Sequence, residues 1–215
     1  LMTGTIATTL LQSSCVVTLM TISFVSASMI SLYSGIAVIF GANVGTTVTS
    51  WIVATLGFKV KIEAFALPMI GLGGLLLMFV TDNRKITMVA KVFVGFGLLF
   101  LGLEFMKTSI ESLTSTIDLA KFTDFPLITF IGVGFLITAI IQSSSAATAI
   151  VLSALYVHIL NFEQAAAMVI GTNIGTTVTA LLGAIGGIPD KKRVALAHFI
   201  FNFITAAAAF VILTP

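Results

Sequence analysis

One polar phrase occurs twice in this chain, 130 residues apart, inside an almost wholly apolar background. Gln12-Ser13-Ser14-Cys15 returns as Gln142-Ser143-Ser144-Ser145. Gly41-Ala42-Asn43-Val44-Gly45-Thr46-Thr47-Val48-Thr49 returns as Gly171-Thr172-Asn173-Ile174-Gly175-Thr176-Thr177-Val178-Thr179. The same register pairs Gly4 with Gly134, Thr8 with Thr138, Thr18 with Thr148 and Ser23 with Ser153. Any two apolar stretches share Leu and Val by chance. Polar residues in the same order, with no gap between the motifs, mark a duplication. The chain is two copies of one unit.

The background decides the solvent. Hydrophobic residues make up 58% of the chain and charged residues 8%, with a mean hydropathy of +1.19. That leaves too little polar surface for a water-soluble fold, and the chain reads as an all-α membrane protein. Each half runs through an apolar piece up to the Gln-Ser-Ser, a second piece after it, a span centred on the Gly-x-Asn and a further full span. These are residues 1–11, 15–31, 34–57 and 64–80, then 127–141, 146–160, 163–188 and 194–213. The pieces flanking each Gln-Ser-Ser are shorter than the roughly 20 residues of a bilayer crossing. This predicts two re-entrant helical hairpins with the serines at their tips. The glycines around Asn43 and Asn173 predict two broken transmembrane helices. Residues 91–107 form another crossing; the expected counterpart before the first hairpin is absent, as in a fragment or a chain lacking its first helix. Repeat 1 is therefore residues 1–87 and repeat 2 residues 88–215, with the polar stretch 108–124 linking the halves. Cys15 is the only cysteine, which excludes an internal disulfide.

If each hairpin returns to the side it left, residues 82–87 and 189–193 share one face of the membrane. That face carries Arg84, Lys85, Lys91, Lys191, Lys192 and Arg193 against Asp82 and Asp190 alone, so the positive-inside rule places it in the cytoplasm. Equivalent loops near positions 60 and 190 then fall on opposite sides, which makes the duplication an inverted-topology repeat, an arrangement of many transporters. No basic stripe suits nucleic acid. The lipid bilayer is the expected surrounding partner, and a homodimer is left open.

A backbone interrupted at membrane depth persists only where protein or a wet cavity satisfies its freed N–H and C=O groups. Four interruptions are expected: the two Gln-Ser-Ser tips and the two Gly-x-Asn breaks. Half-helices starting there would aim positive dipole ends at the gap and hold an anion without lysine or arginine. Ser13, Ser14, Ser143, Ser144 and Ser145 add hydroxyl donors. Gln12, Gln142, Asn43, Asn173 and the threonines offer oxygen to a small hard cation. Thr172, Thr176 and Thr179, with Asn173 beside them, share one helical face, and Thr46 and Thr49 repeat the pattern. No Asp or Glu lies deep in either motif, which argues against a carboxylate proton relay. Neutral oxygen ligands suit sodium, whose charge offsets that of a bound anion.

The doubled Gln-Ser-Ser followed by Gly-x-Asn-x-Gly-Thr-Thr resembles the type II sodium-dependent phosphate cotransporter family, bacterial members included, over nearly the whole chain. Gly134-Phe135-Leu136 and Ala197-His198 fit that family's look. The resemblance implies inorganic phosphate held between the two tips, with sodium as coupling ion alongside. Carried over by motif, Gln12, Ser13, Ser14, Gln142, Ser143 and Ser144 contact phosphate or an adjacent sodium. Thr172, Asn173, Thr176 and Thr179, with Gln142 and Ser143, frame a sodium site. The expected function is a secondary active symporter coupling sodium entry to phosphate uptake by alternating access, multi-pass in the cell membrane, here a bacterial inner membrane. Two positions depart from the pattern: Cys15 stands where a third serine is usual, and Ala42 where the second half has Thr172.

Other readings compete. Gly41-x-x-x-Gly45 and Gly171-x-x-x-Gly175 are also what a close-packed helix seam requires. His158 and His198 read as interfacial or packing residues rather than metal ligands. A sodium-coupled carrier of another small oxyanion and an anion channel remain alternatives. An enzyme using a serine does not fit, because no His, Lys or Asp neighbours the serines in sequence.

Overall fold

The computed structural model describes residues 1–59, 63–79, 83–114 and 125–213. Among them every regular element is an α-helix: α1 Met2–Leu11, α2 Ser14–Ser26, α3 Leu32–Lys59, α4 Glu63–Phe79, α5 Arg84–Thr114, α6 Leu127–Ile141, α7 Ser144–Tyr156, α8 Phe162–Ala184 and α9 Pro189–Leu213. Two compact units arise, one from Leu1–Trp51 with Ala120–Pro215, the other Ile52–Leu119. Stretches within α3, α5, α8 and α9 are long and apolar enough to cross a membrane. They show lipid-compatible side chains such as Phe203, Ile204 and Val211 on their surfaces. The chain is a multi-pass membrane protein. Residues 115–124 of the expected linker lie outside the described residues, and its first part continues α5 to Thr114.

Both Gln-Ser-Ser phrases fold identically. Gln12 and Gln142 occupy the left-handed region, at φ 53° and 57°, and each donates its backbone N–H to a threonine four residues back, Thr8 or Thr138, at 2.7 Å. That residue ends the first helix with the carbonyl groups of its last turn tied down. Ser13 and Ser143 follow in extended conformation, and their hydroxyl oxygens accept from the N–H of Val16 and Ala146, each at 3.3 Å. A helix ends and another begins within two residues, so α1 and α2, and likewise α6 and α7, pack as pairs. The correspondence continues where the sequence no longer matches. Ser28 and His158, 130 residues apart, both take φ near 60° (58° and 61°) just past α2 and α7.

The Gly-x-Asn segments are not breaks. Residues 32–59 and 162–184 are continuous helices through Gly41, Asn43, Gly171 and Asn173, which corrects the two broken helices expected from the glycines. The glycines serve close approach instead. A Cβ on Gly41 would overlap the Leu1 carbonyl and one on Gly171 the Ile131 carbonyl; reciprocally, Gly4 sits against Val38 and Gly134 against Met168. With backbone on backbone, α1 lies on α3 and α6 on α8, and unwinding either long helix would forfeit its own hydrogen bonds for nothing gained. The packing reading of these glycines is therefore the right one, and two of the four expected interruptions remain, at the Gln-Ser-Ser tips.

In the first unit α2 packs on α8 and α9, so the first half's hairpin meets the second half's long helices. Ile22, Val25, Ile39, Ala180, Ala184, Val194 and Ala195 form the buried core there. In the second unit α4 packs along α5, with Gly73 against Ala90 and Gly97 against Ala66.

Candidate functional site

A half-open cavity of about 380 Å³ lies within the first unit, lined by α3, α7, α8 and α9. By liquid volume it has room for roughly a dozen waters. Asn43 and Thr46 of α3, Ser144 of the second tip, and Thr172 and Asn173 of α8 all reach its wall. Five residues expected on chemical grounds thus converge from both halves of the sequence. Thr47, Ser50, Thr148 and Thr205 join them without having been singled out. Thr148 was legible as one half of a repeated threonine pair; its role at the cavity was not, because that depends on how α7 lies against α8.

The helical geometry sets what each group can offer. Thr172 donates to the Val169 carbonyl at 2.8 Å and Thr176 to the Thr172 carbonyl at 3.0 Å; Thr46 does the same to Ala42 at 3.0 Å. Their hydroxyl protons are turned back onto the helix, which leaves the oxygen lone pairs for a cation. Thr148 and Thr172 hydroxyls lie 3.5 Å apart. Ser13 and Ser143 point the other way: their oxygens accept from the following helix turn, so their O–H groups remain free to donate. The first N–H groups of α7, at Ser144 and Ser145, add the positive end of the helix dipole.

The remaining expected residues lie off the cavity wall: Gln12, Ser13, Ser14, Thr49, Gln142, Ser143, Ser145, Thr176 and Thr179 do not line it. Gln12 is tied locally, its side chain donating to the Thr9 carbonyl at 2.6 Å and accepting from the Thr49 hydroxyl. Gln142, Ser144, Ser145 and Asn173 make no side-chain hydrogen bond among the described residues. The duplicated motifs are alike in backbone and unlike in occupancy: the first half's amides are engaged, the second half's are open.

Asn43 is engaged by two residues to which the sequence assigns no part in the site. His198 Nε2 lies 3.3 Å from Asn43 Oδ1, Asn43 donates from Nδ2 to Asn202 Oδ1 at 3.3 Å, and Asn202 donates to the His198 carbonyl at 2.8 Å. His198 and Asn202 are 1% and 0% exposed. His198 was read as packing, and Asn202 was passed over. Their spacing of four on an apolar helix is a signal of its own, since buried polar groups in a membrane span are rare unless paired. Phe40 stacks on Phe201 beside them, with ring centroids 4.2 Å apart, holding α3 against α9.

A membrane-spanning chain, all-helical among its described residues, with a cavity whose wall sets serine, threonine and asparagine among apolar side chains such as Val169, Ile170 and Phe201 and holds no charged residue, has the make-up of a transporter of small solutes. Comparison with known proteins specifies which. The Na+/Pi-cotransporter family matches residues 1–108 and 112–214, and the chain belongs to that family. It is 33% identical to the uncharacterised protein YqeW of Bacillus subtilis, across 95% of this chain and 68% of that one. It is 29% identical to YjbB of Salmonella typhimurium, provisionally named for inorganic phosphate export, across 92% of this chain and 36% of that protein. A stretch covering 31% of this chain is 41% identical to the human sodium-dependent phosphate transport protein 2C, of which it spans 12%. The chain thus covers only about a third of YjbB. No solved structure matches.

Proposed function

We propose that this chain carries the transport core of a secondary active symporter that couples sodium movement to inorganic phosphate by alternating access. The observation that carries this reading is the convergence of Asn43, Thr46, Ser144, Thr172 and Asn173 on one cavity. Phosphate would take hydroxyl and N–H donors at the tips, from Ser13, Ser14, Ser143, Ser144 and Ser145, with Gln12, Gln142, Asn43 and Asn173 nearby. Sodium would take the oxygen atoms of Thr172, Asn173, Thr176 and Thr179 with Gln142 and Ser143, and of Gln12, Thr46 and Thr49 in the first half. Each ion lowers the cost of dehydrating the other, which couples their movements. The helix pairs α1–α2 and α6–α7 would be the re-entrant hairpins of an inverted repeat spanning 1–87 and 88–215, with residues 82–87 and 189–193 in the cytoplasm.

The test is flux through the full-length protein in liposomes with radiolabelled phosphate. An inward sodium gradient should drive saturable uptake that potassium does not support. Uptake indifferent to sodium would reject coupling, and flux that never saturates would favour a channel. The name carried by YjbB supports a second reading, outward phosphate flow. Loading phosphate inside and imposing the sodium gradient in each direction decides between them.

A further inference from the structure

We propose that His198 and Asn202 are positioning residues that fix the Asn43 carboxamide as a hydrogen-bond donor to an oxyanion in the cavity and bar its oxygen from binding sodium. This rests on the phosphate-transport reading and assigns one side chain's part in it.

The polarity of the network follows from a single group that has no choice. The His198 backbone carbonyl can only accept, so Asn202 must turn Nδ2 toward it, at 2.8 Å. Asn202 Oδ1 then faces Asn43 and must accept, so Asn43 presents Nδ2 to it at 3.3 Å. Asn43 Oδ1 is left to His198 Nε2, also at 3.3 Å, and an amide oxygen carries no proton, so the ring donates. Every amide and ring orientation is thereby determined. His198 Nδ1 is left buried with no partner among the described residues, a cost of about 1–3 kcal/mol that a packing residue would not need to incur.

Asn43 reaches the cavity wall, whereas His198 and Asn202 stand behind it. Its oxygen already receives a ring N–H, whose positive end opposes a cation at the same atom. Its amide nitrogen retains one N–H beyond the bond to Asn202. The oxygen's second lone pair is made a poorer cation ligand by the ring N–H, so what Asn43 best offers is a donor, and a donor suits an oxyanion. Asn173, its equivalent in the second half, has no hydrogen-bond partner among the described residues. The positions 130 residues before His198 and Asn202 are Pro68 and Leu72, which have no hydrogen-bonding side chain. The lock therefore belongs to one half only: Asn43 serves the anion, and Asn173 keeps its oxygen for the cation.

Phosphate and sodium binding by purified full-length protein, measured by titration calorimetry with the other ion saturating, tests this alongside liposome flux. His198→Leu should weaken phosphate binding about tenfold or more, the loss of one hydrogen bond to a charged group, without weakening sodium binding; Asn43→Asp, which replaces the donor by an anionic acceptor, should weaken phosphate at least as much and tighten sodium binding. His198→Gln, which keeps an N–H at nearly the same reach, should restore phosphate binding; a His198→Leu variant that fails to fold leaves Asn43→Asp and His198→Gln to decide. Weakened sodium binding with phosphate untouched, or no change in either, overturns the proposal. Wild-type protein that binds phosphate but moves it without sodium dependence would sink the symport reading alone; wild-type protein that binds no phosphate sinks both.

Discussion

Gln142 shows how a single residue can be read against its own conformation. A non-glycine residue in the left-handed region costs about 1–2 kcal/mol, and a helix end of this shape usually selects glycine. The Gln142 side chain makes no hydrogen bond among the described residues that would offset this. Gln142→Gly should raise stability toward unfolding by about 1 kcal/mol and abolish phosphate uptake. Gln12→Gly differs, because it also severs the ties to Thr9 and Thr49, and its thermal stability should not rise. A Gln142→Gly protein that transports at the wild-type rate would remove that amide from the site. The polar residues were conspicuous in the sequence because an apolar background makes each one expensive. Asn202 is inconspicuous and His198 reads only as a packing residue, because neither recurs at the offset of 130 that draws attention to the others.

At the scale of elements, helix positions were legible from apolar run lengths, and residues 1–11 and 127–141 became α1 and α6 nearly to the residue. The two supposed breaks were not. Glycine inside an apolar run is compatible both with unwinding and with backbone contact, and only a neighbouring helix chooses between them. Gly132 and Gly134 on α6 separate these roles. A Cβ at Gly132 meets open space, and one at Gly134 overlaps the Met168 carbonyl of α8. Gly132→Ala should therefore stabilise by about 0.5–1 kcal/mol, whereas Gly134→Ala should lower the melting temperature sharply or prevent folding; equal melting of the two variants would contradict the seam. The charged first turns of α5 and α9 are a second element-scale test. With Cys15→Ser as background, Lys85→Cys and Lys191→Cys should both react with an impermeant maleimide only from the cytoplasmic side. Labelling of the two from opposite sides would refute the shared face.

For the molecule as a whole, coupling is a statement about mass action. If both ions bind the folded protein together, sodium phosphate should raise its melting temperature in detergent by more than potassium phosphate and sodium chloride do separately, as ligand linkage requires. Equal shifts in sodium and potassium phosphate would argue against a sodium site. The sequence by itself determined the solvent, the duplication, the helix inventory and the chemical kind of side chain available, because these depend on composition and on order along the chain. Only the tertiary structure decided that Gly41 and Gly171 bring helices together rather than break them, and that Asn43 is held by His198 and Asn202. Those outcomes depend on which surfaces meet, and two equivalent motifs meet different neighbours: Asn43 is bonded to polar groups on α9, and the Asn173 side chain makes no hydrogen bond among the described residues.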